Sequence, residues 1–389
     1  LVMCQKVKEY QLSNQAFVFS KAYPATGISA KYKTYPEDFY VKENITIDFS
    51  EEGEHCWLYI QKQNCNTDWL AQQLARYCEV KPVAVSYAGL KDRHAVTSQW
   101  FSVHQPGQAT PDWRTFEQSF NSEAAASNDT TDGDKTTDTD ASEQRAGKIQ
   151  ILKDHRHNKK LKRGALQGNT FKIRLRDLSD TSEEAFQLLM LRCELVAEKG
   201  VPNYFGSQRF GRNHNNLHQA VKLFSRSRNR LSRHKRSLYL SAARSWIFNH
   251  ILSKRIEQNS WDTRLPGDVF MLDGRSACFV DESDKSDETV ARLVANEIHP
   301  TAALWGEGDE MVTSQARDLE ASVIADFPEY REGLLKARVK AMRRACRVVP
   351  GELECLRIDD DFELSFELPA GSYATSVLSE FFSGLNASE

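Results

Sequence analysis

Strand-forming and helix-forming patterns occupy different stretches of this 389-residue chain, and that segregation limits its fold more than any single motif does. Val41, Ile45 and Ile47 punctuate polar residues over 40–49, and Trp57, Leu58, Tyr59 and Ile60 fill 56–61. Further strand signals lie at 99–104, 148–153, 170–178 and 362–368. In 170–178, Phe171, Ile173 and Leu175 alternate with Lys172, Arg174 and Arg176, which predicts one core face and one basic face. Helical spacing is clear at 66–80 (Leu70, Leu74, Tyr77) and at 186–196, where Thr181-Ser182-Glu183-Glu184 supplies a capping-box start. It continues at 237–256 and 313–347, the latter interrupted near Pro328. Strands dominate 40–178 and return at 362–368, whereas helices dominate 180–350. This layout predicts an α+β domain closed by the C-terminal strand, with a helix-rich domain inserted into it.

The net charge of −3 conceals an uneven distribution. Residues 121–145 hold seven acids against Lys135 and Arg145, so this stretch carries −5 and the rest of the chain +2. It lacks large apolar residues and is read as a disordered acidic surface insertion. Basic residues cluster at 153–176 and 226–236, and each cluster fits a solvated face as well as a phosphate-binding surface. No run of eighteen apolar residues suggests a membrane span, and 1–6 has no apolar signal core, so a cytoplasmic protein is expected. The eight cysteines show no zinc clasp, which predicts reduced thiols and no metal.

Four stretches are richer in Gly, aromatic and charged residues than a core requires: 31–39, 87–100, 200–211 and 368–376. In the second, Gly89-Leu90-Lys91-Asp92-Arg93 precedes a strand and exposes an Asp between two cations. Such cations favour the ionised form that a carboxylate nucleophile needs, although the same pattern makes a solvated turn. As neighbours in an extended loop, Lys91 and Arg93 point away from the Asp side chain. In the third stretch, Asn203 and Phe205 fall on one face of an extended segment, an amide beside a ring, as a flipped base requires. The stretch equally fits a Gly-rich strand end with core aromatics, and Phe39 and Tyr373 fit core roles too. Phosphate-loop, dinucleotide, nucleophile-elbow and zinc-deaminase signatures are absent.

Together, Lys33-x-x-Pro36-Glu37-Asp38-Phe39-x-Val41-x-Glu43, the run Gly89–Thr97 (GLKDRHAVT) and the run Pro202–Gly211 (PNYFGSQRFG) resemble the tRNA pseudouridine synthase D (TruD) family. The likeness extends through 161–169, 233–244 and 368–377, nearly the whole chain apart from 121–145. It implies a pseudouridine-synthase catalytic domain built on a mainly antiparallel sheet with flanking helices, formed by 1–224 and 348–389. A helix-rich TRUD domain at 225–347 would interrupt it. The resemblance further implies an isomerase that converts a uridine in tRNA, uridine-13 of the D-arm in the family's usual case, to pseudouridine. Neither cofactor nor metal is implied, tRNA is the only partner, and no obligate protein partner or membrane is expected. By the same analogy Asp92 is the nucleophile and Lys33 the cation beside it. Asn203 contacts the Asp or the base, and Phe39, Phe205 and Tyr373 line or stack on the uracil. Tyr373 departs from the Phe of better-known members, and its ring can still stack.

Overall fold

The computed structural model describes residues 19–128, 147–225, 231–280 and 286–387. Of the expected acidic insertion, 121–128 close a helix, and 129–145 lie outside the described residues, as do 1–18 and the basic residues at 226–230.

Contacts divide the chain into two compact units. The first, here the sheet unit, gathers Ile28–Gln187, Gly351–Gly371 and Gly384–Glu389; the second, the mixed unit, takes the chain up to Gly27, Leu188–Pro350 and Ser372–Ser383. These bounds differ from the expected 225–347, because 188–224 and 372–383 also make their contacts within the mixed unit.

Strands β1 (Ser29–Tyr32), β2 (Phe39–Asn44), β3 (His55–Gln63), β4 (Val85–Tyr87), β5 (Val96–His104), β6 (Lys148–His157) and β7 (Gly168–Arg176) join β14 (Gly351–Ile358), β15 (Asp361–Pro369) and β16 (Gly384–Ala387) in one sheet. Its main path runs β14-β15-β7-β2-β5-β3-β6, antiparallel except where β2 meets β5. The period-two alternation of β3 sorts its side chains. Cys56, Leu58 and Ile60 face a core with α1 (Thr67–Tyr77) and α2 (Trp113–Asn128), whereas Trp57 and Tyr59 join Trp100 on the other face. The strand expected over 40–49 stops at Asn44, whose side chain bonds Thr170 at 3.0 Å and whose carbonyl accepts from Gln167. Ile45, Ile47 and Phe49 pack instead on the tryptophan face.

The expected basic face of β7 is built, but acids answer it. Lys172 pairs with Glu363, Arg174 with Asp361, and Arg176 with both Asp38 and Asp361. That strand is therefore cross-linked to its neighbours and is not an open phosphate-binding face.

The mixed unit contains α3 (Glu183–Lys199) from Leu188 onward, β8 (Val201–Pro202), α4 (Asn215–Ser225) and α5 (Arg233–Glu257). Strands β9 (Val269–Leu272), β10 (Cys278–Val280), β11 (Ile298–Leu304) and β12 (Met342–Ala345) form a sheet in the order β10-β9-β11-β12, and β13 (Arg347–Val348) pairs with β8. Helices α6 (Ser286–Val294), α7 (Ser314–Ala325), α8 (Pro328–Lys336) and α9 (Ala374–Phe381) complete it. The unit is thus less purely helical than expected. Residues 342–345 and 347–348 are strand; in the first, alternation sends Arg343 to Thr301 and Glu320 and Arg344 to Asn203. Five described cysteines, Cys56, Cys65, Cys78, Cys278 and Cys346, are free; Cys193 and Cys355 are disulfide-bonded, against the expectation of reduced thiols throughout.

Inside the mixed unit, Arg255 makes a fully buried two-pronged pair with Asp268 at 2.7 and 2.8 Å. Removing one partner strands the other charge away from water. Asp268→Ala is expected to cost about 3–5 kcal/mol, read from the urea midpoint, while an Arg255→Met/Asp268→Leu double variant costs less. A double variant worse than Asp268→Ala would refute this account.

Candidate active site

The loop between β4 and β5 carries Asp92, and buried polar groups pin its backbone on several sides. Gln99, wholly buried on β5, donates from Nε2 to the Gly89 carbonyl at 3.1 Å and accepts from Thr67 Oγ1 at 2.9 Å. Thr67 Oγ1 in turn accepts the Lys91 amide at 3.1 Å. The Lys91 ammonium turns inward to Glu43 on β2 at 3.1 Å, and the other oxygen of Glu43 accepts the Trp100 amide at 2.9 Å. Beneath them Lys62, also wholly buried, donates from Nζ to the carbonyls of Cys65 (2.7 Å) and Asp92 (3.0 Å).

These contacts fix the main chain and leave the Asp92 carboxylate outward, with 39% of its side chain exposed. Its Oδ2 receives the Lys33 ammonium at 2.6 Å. Lys33 follows β1 with φ of 61°, a left-handed conformation that is unusual for a non-glycine residue. Such a backbone costs about 1–3 kcal/mol and persists where surrounding contacts over-determine it. Here they are the carboxylate and the Phe39 ring, over which Lys33 Nζ stands 4.2 Å from the centroid. Phe39 is buried, and its position follows from the turn Pro36–Asp38: Asp38 accepts the Tyr35 amide and both Asp38 oxygens accept Arg176 Nε at 2.9 Å. Burial raises the pKa of the Tyr32 phenol, and the Asp92 charge raises it further, so Tyr32 stays neutral beside the carboxylate.

The sheet unit therefore brings together Asp92, Lys33 and Phe39, and the mixed unit brings together Asn203, Phe205 and Tyr373. Asn203 is 7% exposed; its Nδ2 donates to the Ala345 carbonyl (3.1 Å) and its Oδ1 accepts Arg344 Nη2 (2.6 Å). Its amide is thus engaged at both ends. Phe205 is 8% exposed, with the Arg344 guanidinium over its face at 4.1 Å and Phe248 edge-on at 5.4 Å. Asn249, buried on α5, clamps the Phe205 backbone by accepting its N–H and donating to its carbonyl, each at 2.9 Å. Tyr373 is half-buried, meets Phe205 edge-on at 6.0 Å and accepts Arg209 Nε at its hydroxyl at 2.9 Å. A Cβ on Gly206 would come within 2.8 Å of the Tyr373 ring, so glycine is required for that approach.

Sequence reasoning did not single out Lys62, Thr67, Gln99, Asn249, Arg209 or Arg344. A lysine or glutamine inside a strand pattern gives no local signal that a distant loop will meet it. Among the described residues no group of three or more His, Cys, Asp or Glu could hold a metal ion.

The family model for tRNA pseudouridine synthase D (TruD) matches residues 19–118, 125–228 and 215–381. The chain belongs to the tRNA pseudouridine synthase D (TruD) family. It is similar to the tRNA pseudouridine synthase D of Methylococcus capsulatus, 44% identical over 352 residues that cover 90% of each chain. The corresponding protein of Hydrogenovibrio crunogenus is 39% identical over 94% of this chain and 96% of that one. Among solved structures, the TruD of Methanosarcina mazei aligns with a TM-score of 0.66 over 96% of this chain and 97% of that one, at 22% identity, a likeness of fold. Membership of the TruD family agrees with the motif resemblance and with the mainly antiparallel sheet.

In this TruD-family chain the buried ammonium of Lys62 has a measurable signature. Burial lowers its pKa from 10.5 to about 8; the Cys65 thiol and the Asp92 carboxylate oppose that shift, and the Lys91 charge adds to it. Below about pH 8 the cost of burying the charge is fully present. Between 8 and 10.5 the unfolded chain retains a proton that the folded chain has released, so stability rises with pH. Lys62→Met should flatten that rise in urea midpoints taken from pH 7 to pH 10. An identical slope in the variant would contradict a charged, buried Lys62.

Proposed function

We propose that this chain is an isomerase that converts uridine to pseudouridine in tRNA, with uridine-13 of the D-arm as the target and Asp92 as the nucleophile. The observation that carries the reading is the Asp92 carboxylate itself, exposed at its tip, paired with Lys33 at 2.6 Å and mounted on a backbone held by Lys62, Thr67 and Gln99. A nucleophilic carboxylate must be reachable and pre-positioned, and this arrangement supports both. Family membership supports the reaction class.

The isomerisation breaks the N1–C1′ bond, turns the uracil and joins C5 to C1′. The C5 hydrogen leaves as a proton and N1 regains one, so atoms and electrons balance within the nucleoside. Attack at C1′ or at the base places the same demand on Asp92. Lys33 orients the carboxylate through its 2.6 Å contact, and Phe39 seats Lys33. Tyr373 offers the half-buried ring on which a flipped uracil could stack. Asn203 and Phe205 serve the base only if Arg344 yields its contacts with them, so in the resting arrangement their part is to shape the wall behind Tyr373. Among the described residues no helix is long and apolar enough to cross a membrane.

Asp92→Asn is expected to abolish release of a C5 label from tRNA uridine while tRNA affinity stays within about threefold. Lys33→Met should slow turnover by about a hundredfold with affinity similarly preserved. Label release by Asp92→Asn at the normal rate would exclude Asp92 as nucleophile, and shortened RNA would point to hydrolysis instead.

A further inference from the structure

Two arginines of the mixed unit stand close together with only neutral groups to receive their hydrogen bonds. Arg209, from the turn Ser207–Phe210, donates from Nε to the Tyr373 hydroxyl at 2.9 Å and from Nη1 to Ser241 Oγ at 3.2 Å. One turn further along α5, Arg244 meets the Met342 sulfur at 3.6 Å, beyond the reach of a strong hydrogen bond. Among the described residues no carboxylate pairs with either guanidinium. Burial lowers the Arg244 pKa and the Arg209 charge lowers it further, as expected of like charges held together in a partly dry setting. Arg344, over the Phe205 ring, brings a third positive charge within range of Arg209.

Guanidinium groups remain protonated at neutral pH, so this repulsion is a standing cost. Partly buried charges in proteins are ordinarily paired, and what is missing here is an anion. The Tyr373 hydroxyl adds direction. By engaging Nε it turns Arg209 so that the guanidinium lies 5.3 Å from the Phe205 centroid and 5.9 Å from that of Tyr373 itself, with Nη2 unused. A phenylalanine at 373 would keep the ring and lose that hold. The planar fork of each arginine matches a tetrahedral oxyanion, and RNA presents one at every linkage.

We propose that Arg209 and Arg244 form a binding site for one backbone phosphodiester of the RNA, next to the nucleoside that meets Tyr373. The site rests on the reading that this chain acts on tRNA. It gives the Tyr373 hydroxyl a purpose separate from stacking, as the group that orients Arg209.

The test uses the full chain, a tRNA substrate and a set of the same RNA with single uncharged methylphosphonate linkages. For the wild type, one linkage near the target should weaken binding about tenfold when neutralised. Arg244→Gln and Arg209→Gln should each bind the unmodified RNA about tenfold more weakly and be indifferent to that linkage. Each should also lower the slope of log affinity against log salt by about one. Arg244→Lys, which keeps the charge, should recover the slope. Tyr373→Phe should reproduce part of the Arg209→Gln loss. Unchanged affinity and slope in Arg244→Gln, with pseudouridine still formed by the wild type, would overturn the anion site and leave the proposed function standing. If the wild type formed no pseudouridine, the functional reading would fall instead. Inorganic phosphate would then test the site alone, raising the melting temperature of the wild type and not that of the Arg209→Gln/Arg244→Gln double variant.

Discussion

In the interior of the sheet unit the Lys91 ammonium meets the Glu43 carboxylate at 3.1 Å, with both side chains almost fully excluded from water. Either charge alone at that depth would be costly, and together with the Trp100 amide they satisfy one another. The consequence reaches Asp92. With Lys91 drawn inward and its amide held by Thr67, the next residue is turned outward, and its carbonyl is caught by Lys62. The loop thus exposes a carboxylate from a backbone with little freedom left. The left-handed Lys33 and its seat on Phe39 are arranged around that fixed carboxylate.

The mixed unit solves a different problem. Its aromatic and amide residues are held so firmly, Phe205 through Asn249 and Asn203 through Arg344 and the Ala345 carbonyl, that they form a wall more than a set of free hands. Beside that wall, Arg209 and Arg244 rest on rings, a hydroxyl and a thioether, and still favour an incoming anion. The contrast with β7 is instructive, since Lys172, Arg174 and Arg176 look equally basic in sequence and are neutralised by Glu363, Asp361 and Asp38.

Much of the architecture was legible from pattern. The apolar run in β3, the alternation in β7 and the helical spacing of α1 and α5 predicted elements that the structure contains, because these patterns are local properties of sequence. The prediction failed where distant groups decided the outcome. The helix expected over 313–347 gives way to strand at 342–345, where Thr301 and Glu320 draw Arg343 to one side and Asn203 draws Arg344 to the other. Likewise 45–49 leave the sheet because tryptophans on β3 and β5 offer their side chains a better surface.

Of the candidate site, sequence alone determined the residue types and their order: an aspartate after a glycine, a lysine before a proline turn, an asparagine and aromatics among glycines. It also carried enough motif to place the chain in the TruD family. The resemblance already pointed to Lys33 as the cation beside Asp92, and only the tertiary structure decided where Lys91 goes instead. Lys91 and Arg93 adjoin it in the chain, but Lys33, far off in sequence, reaches the carboxylate at 2.6 Å, because Glu43 has already claimed Lys91. Charge pairing depends on distance in space and on exclusion from water. Neither is set until the strands that carry the partners have been laid side by side.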